Sequence, residues 1–438
     1  MTIRRTAFTL LMFLFVSLIL FTGAGCTARV SPGRIAGDTD PTGAEVTYWH
    51  TYTGPRDEAL QEMVGEFNRT NEWGIRVKDE YSGQGDEIYR RMSIAITSGS
   101  LPELIDANPV QASAYRQKGV LVDLEPYVRD PRWGLGDELK DFYRGFLDQP
   151  TGSLQRGVRL GFPIHRSFEI MFYNAEWLKE LGVKVPPDTW DDFSRIVEKA
   201  TDPVTGRYGY VLRTDASSVF AMVASRGGDI TNSDGSGYRF NTRPMKDSMN
   251  LMKKLCEKGF ARRAPGSSMG LADFAGRKAL FTMGPSSALP FYRRALKGSE
   301  KGDFAWDISP LPHSTAKPLL NTYGKSLSIP RTTAEKQLSA WIFIRWMTGP
   351  AQQARWVEVT SEVPVRKLLP EQLGSYPSEN PHFLKSLELL SSSSLKSEPS
   401  YSGYDSVRDA MSEAYNRILD GADIDQTLRQ LEKDANRR

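Results

Sequence analysis

A chain of 438 residues, 39% hydrophobic and 25% charged, has ordinary globular composition and enough length for two lobes. Its 56 basic and 53 acidic residues leave a formal charge of +3 with no long run of one sign, so no nucleic-acid partner is expected. Only two cysteines occur, Cys26 and Cys256, so a disulfide framework is excluded and a hydrophobic core must hold the fold.

The chain begins with a leader. Arg4 and Arg5 precede an apolar run from Ala7 to Phe21, followed by Gly23, Ala24, Gly25 and Cys26. That is the order of a secretory signal: charged start, apolar middle, small-residue end. The run is shorter than the ~20 residues a spanning helix needs. Cys26, directly after the small residues, is similar to the lipidated cysteine of bacterial lipoproteins, although Gly23 stands where such signals usually carry Leu. Residues 1–25 are therefore expected to be a lipoprotein signal peptide. Residues 26–43, rich in Gly, Pro, Thr and Asp, are expected to form a flexible tether.

"VTYWHTYTGPRDEALQEMVGEFN" (46–68) then reads as a strand, a Gly-Pro turn and a helix. The helix carries Leu60, Met63, Val64 and Phe67 at the i, i+3, i+4, i+7 spacing of a helix lying on a sheet. "GIRVKDEYSG" reads as a second strand, "MSIAITSGS" as a helix end, and "PELIDAN" as a third strand ending at Asn108-Pro109. Strand–helix–strand–helix–strand implies parallel pairing, with ligand-binding loops at the carboxyl ends of the strands. "RLGFPIHRSFEIMFYN" is a strand pair broken between Pro163 and Ser167, and Thr189 opens a helix with its apolar stripe at Phe193, Ile196 and Val197. Cys256 reads as a small apolar residue on a helix face beside Leu251, Met252 and Leu255. "GRKALFTMGPSSALPFYRRAL" reads as strand, Gly-Pro turn and helix, and "NTYGKSLSIP" as one strand. Two helices follow around Gly349-Pro350, with Trp341, Trp346 and Trp356 assigned to packing, and "SSSSLKSEPSYSGY" (391–404) reads as a loop.

Motifs for catalysis and metals are missing. His50, His165, His313 and His382 form no H-E-x-x-H pair, and neither a G-x-S-x-G elbow nor a phosphate loop occurs. Asp191 and Asp192 sit in a helix's first turn, where acidic residues favour the dipole. No catalytic residue, cofactor or dedicated metal site is expected.

Four stretches now carry a family resemblance: the opening one, "FYNAEWLKELGVKVPPDTWDDF", "GRKALFTMGPSSAL" and "AWIFIRWMTGPAQQARWVEVTSEVPVRK". With the leader, their order resembles extracellular solute-binding proteins of family 1, the carbohydrate-binding receptors of ABC importers. The resemblance implies a periplasmic-binding-protein-like α/β fold, two lobes joined by hinge strands with a ligand cleft between them. It places chain crossings near "FPIHRS", before "SPLP" and after "TGPAQQ", so that 44–160 and 308–352 form one lobe and 161–307 and 353–438 the other. It further implies a monomer held outside the cytoplasm by a lipid on Cys26, delivering sugar to a membrane permease with its cytoplasmic ATPase.

Sugars present apolar ring faces rimmed by hydroxyls, so their cleft needs aromatic platforms and fixed hydrogen-bonding groups. Trp49 and Tyr52 are candidate platforms, with His50 and Thr53 hydrogen-bonding beside them, and Gln84 and Asn108 follow the second and third strands. His165 and Arg166 at the crossover and Ser286 and Ser287 at a helix start would face them. Arg213 and Asp215 stand where the resemblance implies ligand contacts, and Tyr323 and Tyr401 complete the set. The competing readings are a surface-anchored polysaccharide hydrolase and a receptor for another solute: glycerol phosphate, polyamine, or ferric iron held by Tyr48, His50 and Tyr52. Because Arg408 lies inside a helix pattern, a neutral saccharide is expected over a phosphate.

Overall fold

Alternating strand and helix build a parallel unit over the first third of the chain. The computed structural model describes residues 38–147, 157–265, 269–300, 304–368 and 370–437; the leader, Cys26 and most of the expected tether lie outside them. Strand β1 (Glu45–His50) pairs in parallel with β2 (Arg76–Tyr81) and β3 (Leu104–Ala107). Between them run α1 (Pro55–Thr70) and α2 (Asp86–Ser98), and α3 (Pro109–Gln117) follows. Pro55 opens α1, where its missing N–H costs nothing, and Leu60, Met63, Val64 and Phe67 are all buried. Part of the expected tether already packs on the domain: Thr39 and Pro41 are buried, and Ser339 Oγ donates to the Pro41 carbonyl.

The first sheet has the order β2-β1-β3-β11-β4. Its last two members are the short antiparallel strands β4 (Phe162–Pro163) and β11 (Ser326–Ser328). The second, seven-stranded sheet runs β12-β10-β5-β8-β6-β7, with β9 also on β5. It comprises β5 (Ser167–Asn174), β6 (Tyr208–Leu212), β7 (Ala261–Arg263), β8 (Ala279–Pro285), β9 (Trp306–Ser309), β10 (Leu319–Tyr323) and β12 (Ser394–Ser397). All eight residues of β5 are buried, since it is paired on both edges. Against this sheet pack α4 (Trp190–Ala200), capped by Thr189 and burying Phe193, Ile196 and Val197, and α5 (Ala216–Ser225), with α6 (Arg243–Glu257) packed on α5 and α7 (Leu289–Lys297) coming after β8. All ten α5 residues are buried, as a helix without a charged side chain permits. Cys256 lies partly buried against this core, and burial pushes its thiol up to about 11, far from a reactive thiolate.

Three passages depart from the sequence-based expectation. The segment "NTYGKSLSIP" is two strands in two different sheets, broken at Gly324, whose φ of 153° suits glycine and where a Cβ would lie 3.2 Å from the His165 carbonyl oxygen. The serine-rich segment 391–404 contributes β12, in register with β10, because backbone ladder bonds do not depend on side-chain hydrophobicity. The turn expected at Gly284-Pro285 is the end of β8 itself. The tryptophans behave as expected. Trp341 and Trp356 are buried, and Trp346, in α8 (Ala334–Met347), packs edge-on to Phe67.

Candidate functional site

The carboxyl ends of β1, β2, β8 and β10 meet at one cavity of about 370 Å³. Thr51, Tyr52 and Thr53 reach it from the loop after β1, and Gln84 and Gly85 from the loop after β2. Ser167, Ser287 and Tyr323 reach it from the second sheet. Thus six of the candidates converge: Tyr52, Thr53 and Gln84 from beyond the first two strands, His165 from the crossover, Ser287 from the helix start, and Tyr323.

The other candidates do not line it. Period-two alternation sends Trp49 to the face of β1 opposite Tyr48 and His50. There it packs with Ile88, Met92 and Ile105, under the Arg91 guanidinium at 4.1 Å, and donates to Glu80 at 3.2 Å. Asn108 is spent on α3, accepting the Gln111 N–H at 2.8 Å in a reciprocal capping box. Arg166 is fully buried, donating to the carbonyls of Lys325 (2.6 Å) and His165 (3.0 Å) and to Ser326 Oγ (2.9 Å). Burial pulls its pKa from 12.5 to about 9. Ser286 Oγ accepts the Phe168 N–H. Arg213 bridges Glu169 (3.1 Å) and Asp215 (2.8 Å), while Asp215 caps α5. Tyr401 borders a separate cavity with Asp229, Thr231 and Lys396. Arg408 is tied to Glu398 and Ser217.

His50 lies beneath the cavity. Its Nδ1 accepts the Tyr52 N–H at 3.3 Å, so the neutral ring carries its proton on Nε2, 3.7 Å from Asp57 and 3.9 Å from Asp79. Burial holds the ring below its ordinary pKa, which favours that neutral form. Tyr48 donates to Asp106 at 2.7 Å and Tyr52 pairs with His165, so the three side chains considered for iron point to three different partners.

Sequence reasoning missed Thr51, Arg56, Ser167, Lys325 and Glu362, which also line the cavity. Pro55 as the first helical residue could have directed attention to Arg56 in the same turn. Nothing local marks Glu362, which lies in the return passage after α9 (Pro350–Thr360). Lys325 donates to Thr51 Oγ1, and burial lowers its pKa. Glu362 receives His165 Nδ1 at 2.9 Å, Trp356 Nε1 at 3.0 Å and Arg56 at 3.3 Å. Burial alone would raise its carboxyl, but the His165 charge and hydrogen bond, with Arg56 and Trp356, hold it down at about 2 instead of 4.5.

A depressed carboxyl makes a signed prediction. The fold binds the Glu362 proton more weakly than the unfolded chain, so this stabilisation is present above about pH 4.5 and lost as pH falls towards 2. In urea melts of wild type between pH 6 and 3, stability is expected to fall by about 2 kcal/mol from this group. Glu362→Gln should start lower and lose that part of the slope; an unchanged slope would remove Glu362 as its source.

A two-lobed α/β fold with a polar cavity where the carboxyl ends of strands from both sheets meet defines a ligand receptor of the periplasmic-binding-protein type. Residues 62–383 match the family described as bacterial extracellular solute-binding protein, and the chain belongs to that family. It is similar to the arabinooligosaccharide-binding protein of Bacillus subtilis, 24% identical over 280 residues, which span 62% of this chain and 59% of that relative. Among solved structures it resembles the cyclic alpha-maltosyl-1,6-maltose binding protein of Arthrobacter globiformis, at 21% identity with TM-score 0.76, covering 90% of this chain and 98% of that one. The sugar-binding protein MalE of Xanthomonas citri is similar at 16% identity with TM-score 0.77, covering 90% and 97%. Among the described residues no helix is long and apolar enough to cross a membrane.

Proposed function

We propose that this protein is the extracytoplasmic receptor of an ABC importer, capturing a sugar or oligosaccharide between its lobes and delivering it to the membrane permease. The observation that carries this is the cavity shared by both sheets and dressed with Thr, Gln, Ser and Tyr hydrogen-bonding groups. A ligand touching both lobes stabilises their closed arrangement, because only differential contacts shift a conformational equilibrium. The relatives' names, all sugar-binding in the three cases above, agree with this chemistry.

A hydrolase reading is disfavoured by the acid–base chemistry. Glycoside hydrolysis uses two carboxyl groups, one of them protonated near neutral pH. Among the described residues lining the cavity the one carboxyl is Glu362, held ionised down to about pH 2. Arg408, tied to Glu398, does not line the cavity; the Arg and Lys side chains among the described lining residues are Arg56, paired with Glu362, and Lys325, and a neutral saccharide remains the preferred ligand.

The lobes are taken to exchange the chain at 163–167, 323–326 and 360–366. The second and third passages differ from the expected boundaries at 308 and 353, since β9 and β10 both belong with β5 and α9 packs on α1. The protein acts as a monomer, anchored by lipid on Cys26. Cys26→Ser should release it from membranes; retention of the unprocessed chain there would point to a signal anchor instead.

The deciding measurement is calorimetry of the full mature chain against sugars, glycerol phosphates, polyamines and ferric iron, with small-angle scattering on any hit. A saccharide is expected to bind without turnover and to reduce the radius of gyration. Moving the lobes from 1:99 to 99:1 closed takes about 5.5 kcal/mol of differential contact. Binding confined to another solute, or glycoside cleavage, would overturn the assignment.

A further inference from the structure

The cavity wall contains a buried relay that its role as a receptor does not by itself require. Tyr52 Oη lies 2.8 Å from His165 Nε2, and His165 Nδ1 lies 2.9 Å from Glu362 Oε2. Trp356 donates to that same Glu362 oxygen and stacks under the His165 ring at 5.7 Å between centroids. It also meets the Tyr52 ring edge-on at 5.1 Å. Tyr52, His165 and Glu362 are 6%, 7% and 6% exposed, so each is held by protein while still bordering the cavity.

Hydrogen-bond chemistry allows few arrangements of the protons. An ionised carboxylate only accepts, so Nδ1 of His165 must be the donor to Glu362. With a neutral ring, Nε2 is then an acceptor and takes the Tyr52 O–H, leaving phenol lone pairs towards the cavity. With a doubly protonated ring, Nε2–H donates to the phenol oxygen, and the Tyr52 O–H turns outward as a donor. Burial and the negative charges of Asp106 and Glu362 keep the phenol itself protonated in both cases.

We propose that Glu362, acting through His165, sets the hydrogen-bond polarity that Tyr52 presents to the ligand, and that a single proton on His165 inverts it. Glu362 is thus a positioning residue that need not touch the ligand. This rests on the sugar-receptor reading for its ligand and deepens it: a sugar hydroxyl both donates and accepts and can satisfy either state, whereas a donor-only ammonium suits only one. The charged groups around the relay are Arg56 from α1, on the other Glu362 oxygen at 3.3 Å, Lys325 beside β11, which senses Glu362, and Asp106 at the end of β3. A glutamine at 362 could present either its oxygen or its NH₂ to Nδ1, so the fixed polarity would be lost.

The test begins without ligand. The chain has four histidines, so long-range ¹H–¹⁵N spectra of histidine-labelled full-length protein are assignable, His165 by its loss in His165→Gln. Wild type is expected to show the Nδ1–H form of His165 at high pH. The ¹³Cζ shift of Tyr52 should step as His165 gains its second proton. Glu362→Gln should mix the two tautomers and blunt that step. An Nε2–H ring in wild type, readable even if the variant fails to fold, would overturn the relay, as would a Tyr52 signal indifferent to His165. Arabinotriose then serves as probe: Tyr52→Phe and Glu362→Gln should each weaken binding about tenfold, and the double variant no more than Tyr52→Phe alone. Additive losses would mean that Glu362 does not act through Tyr52. Absence of arabinotriose binding to wild type with the expected spectra would count against this sugar and leave the relay standing on the spectra.

Discussion

Trp341→Ala is expected to cost about 3–5 kcal/mol of folding stability, read by urea denaturation, and to leave ligand affinity of the folded protein unchanged. The indole is fully buried in α8, meets Phe162 edge-on at 5.5 Å, and donates Nε1–H to the Trp133 carbonyl at 2.8 Å. Truncation removes a large apolar volume and leaves that carbonyl without its donor, and both terms act in the same direction. Trp49→Ala should behave alike at about 3 kcal/mol, since its ring lies in a packed cluster under Arg91. If Trp49→Ala instead weakens sugar binding while melting normally, the end of β1 rearranges on binding and the indole does reach the ligand. A Trp341→Ala protein that melts like wild type would show that the α8 core repacks without it.

Arg166→Met should lower stability by about 2–4 kcal/mol and, unlike Trp341→Ala, weaken binding from outside the cavity. Three oxygens, on His165, Lys325 and Ser326, lose their donor, and relief from burying the guanidinium charge offsets part of that loss. These oxygens belong to two of the passages between the sheets, after β4 and after β10, so the side chain clamps one crossing strand to the other. Without the clamp, more open arrangements gain population, and apparent affinity falls with the competent fraction, by about five- to thirtyfold. Calorimetry with the sugar found for wild type, and the radius of gyration of the ligand-free variant, read the two consequences. Unchanged affinity and an unchanged radius would confine Arg166 to packing.

The contrast between Trp341 and Arg166 shows what was legible beforehand. Trp341 reads as packing because it lies in a helical stretch, "LSAWIFIRWM", dominated by apolar residues, and such a helix face is buried. From sequence Arg166 reads, like His165, as a ligand contact, because both sit at the crossover after Pro163. Adjacent residues in extended chain point to opposite sides, however, and only His165 faces the cavity. The same alternation removed Trp49 from the site while Tyr52, in the loop beyond the strand's end, entered it.

By itself the sequence determined what depends on neighbours along the chain: the βαβ opening from its 2.0 and 3.6 periodicities, the helix start at Thr189 from its cap, and Tyr52, Thr53 and Gln84 at the cavity from their places just past parallel strands. Only the tertiary structure decided what depends on residues far apart. Tyr52, His165 and Glu362 are separated by 113 residues and then by nearly two hundred more, and no local pattern brings their side chains into hydrogen-bond reach. The split of "NTYGKSLSIP" between two sheets was likewise invisible, because a strand's own residues specify extension but not the partner that will satisfy its backbone.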